Sequence, residues 1–265
     1  MLFSFASAGG AFKIPRSEVV ELTEKTTGQV YPLFIKTPRS YKSNKGKHYP
    51  VIYLTDAPYT FQVASGTTRF PMNSGKMEEA IIVGIAYSKG SRGAASRIRD
   101  YTISEAKTWK LKTGNAAIHA TFIREQVFSY IEKNYRVSSS KRTFVGNSLG
   151  GLFGAFILFN YPDMFSDYIF GSPSVWFNNN DLLSFDVKKA ANKTRVYLAV
   201  GSLEKPEFGE REDMVAGAKS LSNKIARQSG DKVELKFKTV EDASHATAFP
   251  TILIQGLDWI YGKQQ

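Results

Sequence analysis

Thr143-Phe144-Val145-Gly146-Asn147-Ser148-Leu149-Gly150-Gly151-Leu152-Phe153 is the stretch on which the reading of this chain turns. Its first three residues are a short apolar run of strand type, and Leu149 through Phe159 is a series of small and apolar residues of helical length. Between them stands Gly146-Asn147-Ser148-Leu149-Gly150, a G-x-S-x-G sequence at a strand–helix junction. The turn must be so tight that a Cβ at either flanking glycine strikes the strand or the helix. Such a turn lifts the serine hydroxyl above the sheet, at a helix N-terminus whose unpaired N–H groups favour negative charge. Ser148 is therefore the candidate nucleophile. The pattern alone is common, and its place between strand and helix gives it weight.

Outward from this junction, apolar runs bounded by turn residues recur. Pro50–Leu54, Ile81–Ile85, Tyr168–Phe170 and Val196–Val200 read as buried strands, and Val233–Phe237 alternates as an edge strand with one wet face does. Helical spacing fills the intervals. Ala117, Phe122, Val127, Tyr130 and Ile131 mark a long helix ending near Tyr135; Met214 to Gln228 and Thr251 to Tyr261 mark two more. This alternation predicts an α/β fold, a mostly parallel central sheet with helices on both faces. Glu18 to Ile35 predicts an antiparallel lead-in turning at Thr27-Gly28, and Thr37 to Tyr49 a polar loop. Residues 14–265 are expected to form one catalytic domain, with 1–13 as an N-terminal stump.

Composition narrows the chemistry. The 265 residues are 42% hydrophobic and 13% aromatic, enough for a sizeable core. They include no cysteine, which excludes disulfides, thiol nucleophiles and Cys-held zinc or iron–sulfur clusters. The three histidines, His48, His119 and His245, share no metal-site spacing, so neither a metal nor a cofactor is expected. Thirty-five basic against 24 acidic residues leave a net charge of +11. The charge is scattered and no nucleic-acid motif accompanies it, so solubility comes first, an anionic small molecule second and nucleic acid last. No stretch reaches the ~20 apolar residues of a membrane span. Met1 to Ala8 ends in Ala-x-Ala without a basic n-region. The expectation is a cytoplasmic chain, with a periplasmic or secreted one as the alternative if residues 1–8 are the end of a signal peptide.

A serine hydroxyl needs a general base. Where this elbow occurs the partners follow in the order serine, acid, histidine, and His245 is the one histidine after Ser148. It stands between the last strand and the last helix, in Glu241-Asp242-Ala243-Ser244-His245-Ala246. His119 falls in a helix and His48 in the lysine-bearing loop, both structural positions. The acid should follow the penultimate strand, where Glu204 is the first carboxylate; Glu207, Glu210, Glu212 and Asp213 are rivals, and a Ser–His dyad is a further possibility. The oxyanion needs two donors: the N–H of Leu149 and one from the loop Thr55-Asp56-Ala57-Pro58. Pro58 has no N–H, which favours Ala57. Asp56 braces the loop or simply forms the turn.

Three blocks together carry a resemblance. Arg97-Ile98-Arg99-Asp100-Tyr101-Thr102, the elbow with Gly151-Leu152-Phe153, and Gly171-Ser172-Pro173-Ser174-Val175-Trp176-Phe177 resemble the esterase-D-like α/β-hydrolases, most of all the bacterial siderophore esterases of the enterobactin and salmochelin type. The resemblance runs from about Ile14 to Tyr261. It departs at Ala57, where family members commonly carry glycine, and at Asn147 in the elbow.

The resemblance implies an α/β-hydrolase fold and a cofactor-free serine carboxylesterase acting through an acyl-enzyme. Its substrate would be a siderophore trilactone or another anionic aryl or acyl ester. The alternatives are an acyltransferase, a feruloyl or acetyl esterase, or a lapsed binding module. Trp176 and Phe177 would line the substrate pocket or join the core. Arg97 and Arg99, read as an irregular segment after the Ile81–Ile85 strand, would hold an anionic substrate or, alternatively, make salt bridges such as one to Asp100. A monomer or weak homo-oligomer is expected.

Overall fold

A computed structural model describes residues 10–263. The stump expected at 1–13 lies largely outside them, and the Ala-x-Ala of residues 6–8 wholly so. Eight strands form one sheet in the order β1-β2-β4-β3-β5-β6-β7-β8. The lead-in strands β1 (Ser17–Thr23) and β2 (Val30–Lys36) are antiparallel and turn through Gly28 at φ +72°. β2 also runs antiparallel to β4 (Ile81–Ile85). β3 (Tyr49–Leu54) lies between β4 and β5 (Val137–Asn147), and β6 (Asp167–Gly171), β7 (Thr194–Gly201) and β8 (Val233–Val240) continue outward, all parallel. The expected α/β architecture is the observed one.

The alternating faces of these strands bury two cores. Ile52, Leu54, Val145 and Ile169 meet α1 (Ala57–Thr67), the short α2 (Arg69–Asn73) and the last helix. Tyr53, Phe144, Tyr168 and Phe170 point the other way, into an aromatic core. That second face is covered by α3 (Gly93–Tyr101) and by α4 (Ala116–Phe122) with α5 (Phe128–Asn134). It is completed by α6 (Leu149–Asn160) and, beyond the turn α7 (Phe177–Asn180), α8 (Met214–Gln228). The last helix, α9 (Ala248–Tyr261), starts three residues before the expected Thr251.

Two expectations change. The long helix ending near Tyr135 is α4 and α5 joined by a π-helical turn, Ile123–Val127. Arg97 and Arg99 lie in α3, not in irregular chain. Its buried residues are Ser96, Asp100 and Tyr101, so no apolar stripe marks it in the sequence; Ser88 N–H donates to Ser96 Oγ, and Ser96 Oγ–H to Asp100. No helix among the described residues is long and apolar enough to cross a membrane.

Candidate active site

After β3 the chain moves to β4 on one side, then returns to β5 on the other, so β3 and β5 flank the point where strand order reverses. A crevice forms at the carboxyl ends of the strands at such a point. Ser148 follows β5 there, at φ 57° and ψ −119°, a backbone conformation an L-residue adopts only under constraint. The flanking glycines explain how it is held. A Cβ on Gly146 would fall 2.2 Å from the carbonyl oxygen of Gly150, and one on Gly150 would fall 2.4 Å from Thr55 Oγ1. The second obstacle is the neighbouring β3–α1 loop rather than the elbow's own strand or helix. The Ser148 N–H donates to Gly171 O at 2.8 Å, tying the turn to the end of β6.

The acid and base come from the adjacent ends of β7 and β8. Ser202 N–H donates to Val240 O and Leu203 N–H to Ala243 O, which joins the two loops. Gly201 is required for this approach, because a Cβ there would lie 2.2 Å from Ala243 O. Glu204 is completely buried. Its Oε2 accepts from His245 Nδ1 at 2.6 Å, and its Oε1 accepts from Ser172 Oγ at 2.5 Å and Gly201 N–H at 2.7 Å. This leaves Nε2 of His245 as the acceptor of the neutral ring. The hydrogen bond that His245 donates to Glu204, aided by the charges of Glu204 and Glu210 against burial and the charge of Arg97, raises the imidazole pKa above its ordinary 6.5. Among the rivals, Asp213 caps α8 by accepting from Ala216 N–H, Glu207 pairs with Lys205, and Glu212 with Arg211.

Ser148 and His245 share no hydrogen bond. The Ser148 hydroxyl instead meets Ser174 Oγ at 3.1 Å. Ser172 and Ser174, one bonded to Glu204 and one to Ser148, were visible in the Ser-Pro-Ser block, yet only folding shows which partner each takes. Leu149 and Ala57 open α6 and α1, and neither backbone N–H has a protein acceptor among the described residues. The preceding N–H, of Asp56, is taken by the Tyr101 hydroxyl at 3.2 Å.

Asp56 sits at φ 56°, and its buried carboxylate accepts from Arg97 Nε at 2.9 Å, Arg97 Nη2 at 3.3 Å and Tyr87 Oη at 2.9 Å. Burial opposes the charge on Arg97, but Asp56 overrides it and holds the guanidinium pKa above its usual range. Arg99 forks onto Asp100 at 2.7 and 2.8 Å and also donates to Tyr31 and Ser88. Both arginines thus spend donors on carboxylates of their own chain. Trp176 is half-buried and stacks on Trp109, with ring centroids 6.1 Å apart and an interplanar angle of 15°. Trp109 lies in the loop between α3 and α4, where no local sequence pattern marks it. Phe177 is fully buried, so it belongs to the core. His119 is buried among Tyr31, Tyr101, Phe122 and Phe153. No cluster of His, Asp and Glu with metal-ligand geometry occurs among the described residues.

The family model described as "Putative esterase" matches residues 24–257. The ferri-bacillibactin esterase BesA of Bacillus subtilis (strain 168) is 30% identical over 267 aligned residues, covering 93% of this chain and 90% of that protein. The crystal structure of BES protein from Bacillus cereus superposes with a TM-score of 0.83 at 31% identity, over 97% of this chain and 99% of that one. The siderophore hydrolase EstB from Aspergillus nidulans has the same fold, with a TM-score of 0.82 at 24% identity over 97% and 98% of the two chains.

Proposed function

The chain belongs to this esterase family and is an ester hydrolase, and we propose that it cleaves siderophore esters by a Ser148–His245–Glu204 mechanism. Ser148 Oγ attacks the ester carbonyl while His245 Nε2 takes its proton. The oxyanion that forms is held by the N–H groups of Leu149 and Ala57. His245 then protonates the departing alcohol, leaving an acyl group on Ser148, and next removes a proton from the water that releases it. Glu204 keeps Nδ1 protonated and stabilises the imidazolium. Before attack the Ser148 hydroxyl must turn from Ser174 toward His245. Residues 14–265 act as the single catalytic domain.

The observation that supports this reading most is the 2.6 Å Glu204–His245 hydrogen bond, formed by a fully buried carboxylate in the crevice that also presents Ser148 at positive φ. A similar protein is named a ferri-bacillibactin esterase, which favours an anionic iron-chelating ester, its iron being part of the substrate. The stacked Trp109 and Trp176 offer a flat aromatic wall for aryl groups of such a ligand. Arg97 acts on the reaction through Asp56, fixing the loop that presents the Ala57 N–H, and Arg99 holds α3. The test is a fluorophosphonate label followed by peptide mapping, with hydrolysis assays on p-nitrophenyl acetate and on ferric and iron-free catecholate trilactones. Label on Ser148 and cleavage of a trilactone are expected. A label elsewhere would defeat the mechanism, and cleavage of the simple ester alone would defeat the substrate.

A further inference from the structure

At the opposite end of the sheet a second polar site is built around Lys36. This residue ends β2 and pairs across to Ile82 at the start of β4, so it lies at the end of the sheet away from Ser148. Lys36 is only 7% exposed, and its Nζ donates to Ser65 O at 2.8 Å near the end of α1. An ammonium has three donors. No other acceptor among the described residues receives one from Lys36, and no carboxylate lies within ion-pair distance of it. Ser65 is itself buried, and its hydroxyl has no hydrogen-bond partner among the described residues.

Both residues line an open cavity of about 1010 Å³ whose edge carries Arg16, Arg39 and Arg69. The one acid along it, Glu18, accepts from the Tyr135 hydroxyl instead. Arg16 is anchored through Nε to Thr37 O at 3.1 Å. A buried cation among cations is costly unless a counter-charge completes it. The carboxyl-terminal carbonyls of α1 favour a cation but supply no full charge. Burial first, then Arg16 and Arg69, depress the ammonium pKa to about 8. Phe34 and Phe61 form an apolar wall beside these donors.

We infer that this cavity binds an oxyanion, a phosphate or carboxylate group, with Lys36 as its floor, the Ser65 hydroxyl as a second donor and Arg16, Arg39 and Arg69 as its rim. The site is separate from the ester-cleaving crevice. α1 joins the two, with Ala57 at one end and Ser65 about 12 Å along the helix at the other.

Calorimetric titration of the full chain with inorganic phosphate, in a phosphate-free buffer at fixed ionic strength, tests the inference. Saturable binding with one site per chain is expected. Lys36→Met should weaken it about tenfold or more, the loss of one charge-assisted contact. Arg69→Gln, at an exposed residue of α2, should weaken it by a smaller factor, and it decides the matter if Lys36→Met does not fold. Phenyl phosphate binding more tightly than inorganic phosphate would assign the apolar wall to an aryl-bearing oxyanion; equal affinity would assign the site to the bare oxyanion. Turnover of p-nitrophenyl acetate should be unchanged in both variants. No saturable binding in the parent chain, or the same affinity in parent and variants, overturns the inference.

Discussion

At the carboxyl ends of the strands Glu204 is fully buried and all its visible partners are donors: His245 Nδ1, Ser172 Oγ and the Gly201 N–H. At the other end of the same sheet Lys36 is nearly as deep, and a single carbonyl receives it. A buried charge costs several kcal/mol unless its partners are complete. The first site meets that requirement from within the chain, through the end of β7 and the loops after β6 and β8. The second meets it in part, and Lys36 lines an open cavity. The contrast teaches that depth of burial says little about a charge's purpose, and that the source of its partners says much. Asp56, with Arg97 and Tyr87, follows the first pattern.

The largest expected effect removes the nucleophile from the completed end. Ser148→Ala should lower turnover of p-nitrophenyl esters by about 10⁶-fold and abolish fluorophosphonate labelling. Its melting temperature should stay near that of the parent, since the side chain makes one hydrogen bond, to Ser174. Labelling retained at another serine would relocate the chemistry.

Glu204→Gln comes next, with an expected loss of about 10⁴-fold as the tautomer of His245 is no longer fixed. A pH profile sharpens it. The His245 pKa is raised in the folded chain, chiefly by the Glu204 hydrogen bond, so the rising limb of kcat/KM should lie above 6.5 and move to lower pH in the variant. The sign for stability follows from the same shift. Protonated His245 contributes stability that is fully present below the unfolded value and is lost as pH rises through the folded one. Denaturant midpoints measured across that interval should fall with rising pH in the parent and flatten in Glu204→Gln. An unmoved limb would separate Glu204 from the base.

A smaller change should follow at Asp56. Arg97→Met should lower kcat by about 10- to 100-fold on neutral and anionic esters alike, as the loop carrying the Ala57 N–H loses its anchor, and KM should change little. Arg97→Lys should recover part of the loss. A raised KM confined to anionic esters, with neutral ones spared, would instead make Arg97 a substrate ligand. At the far end the expected effect on catalysis is the smallest. Lys36→Met should leave turnover within about twofold and, in phosphate-free buffer, melt at or above the parent temperature, because an incompletely paired buried charge has been removed. A lowered melting point there would show that Lys36 is already satisfied, and the contrast between the two ends would collapse.

The parts of the molecule legible in the sequence share one property: each is written in a local pattern. The strand Ile81–Ile85 and the helix Met214–Gln228 match residue for residue, the first because a short unbroken apolar run marks a strand buried on both faces, the second because apolar side chains recur at helical spacing. α3 carries no such pattern because its buried residues include Ser96 and Asp100, polar groups satisfied by one another and by Arg99 and Tyr31. The same reason explains the second layer around the crevice. Ser172, Ser174, Tyr87 and Tyr101 meet their partners across separations of 26 to 45 residues, and no spacing rule announces such pairs.

What the sequence determined by itself, then, was the alternation of strands and helices, the G-x-S-x-G junction and the chain order that singles out His245 and points to Glu204. These follow from local sterics and periodicity, which act between residues close along the chain. Only the tertiary structure decided which carboxylate meets which donor, that Arg97 and Arg99 turn their forks inward to Asp56 and Asp100, and that Lys36 is buried without a counter-ion among the described residues. Pairing of charges depends on distance in space and on exclusion of water, and both arise only when strands far apart in sequence are laid side by side.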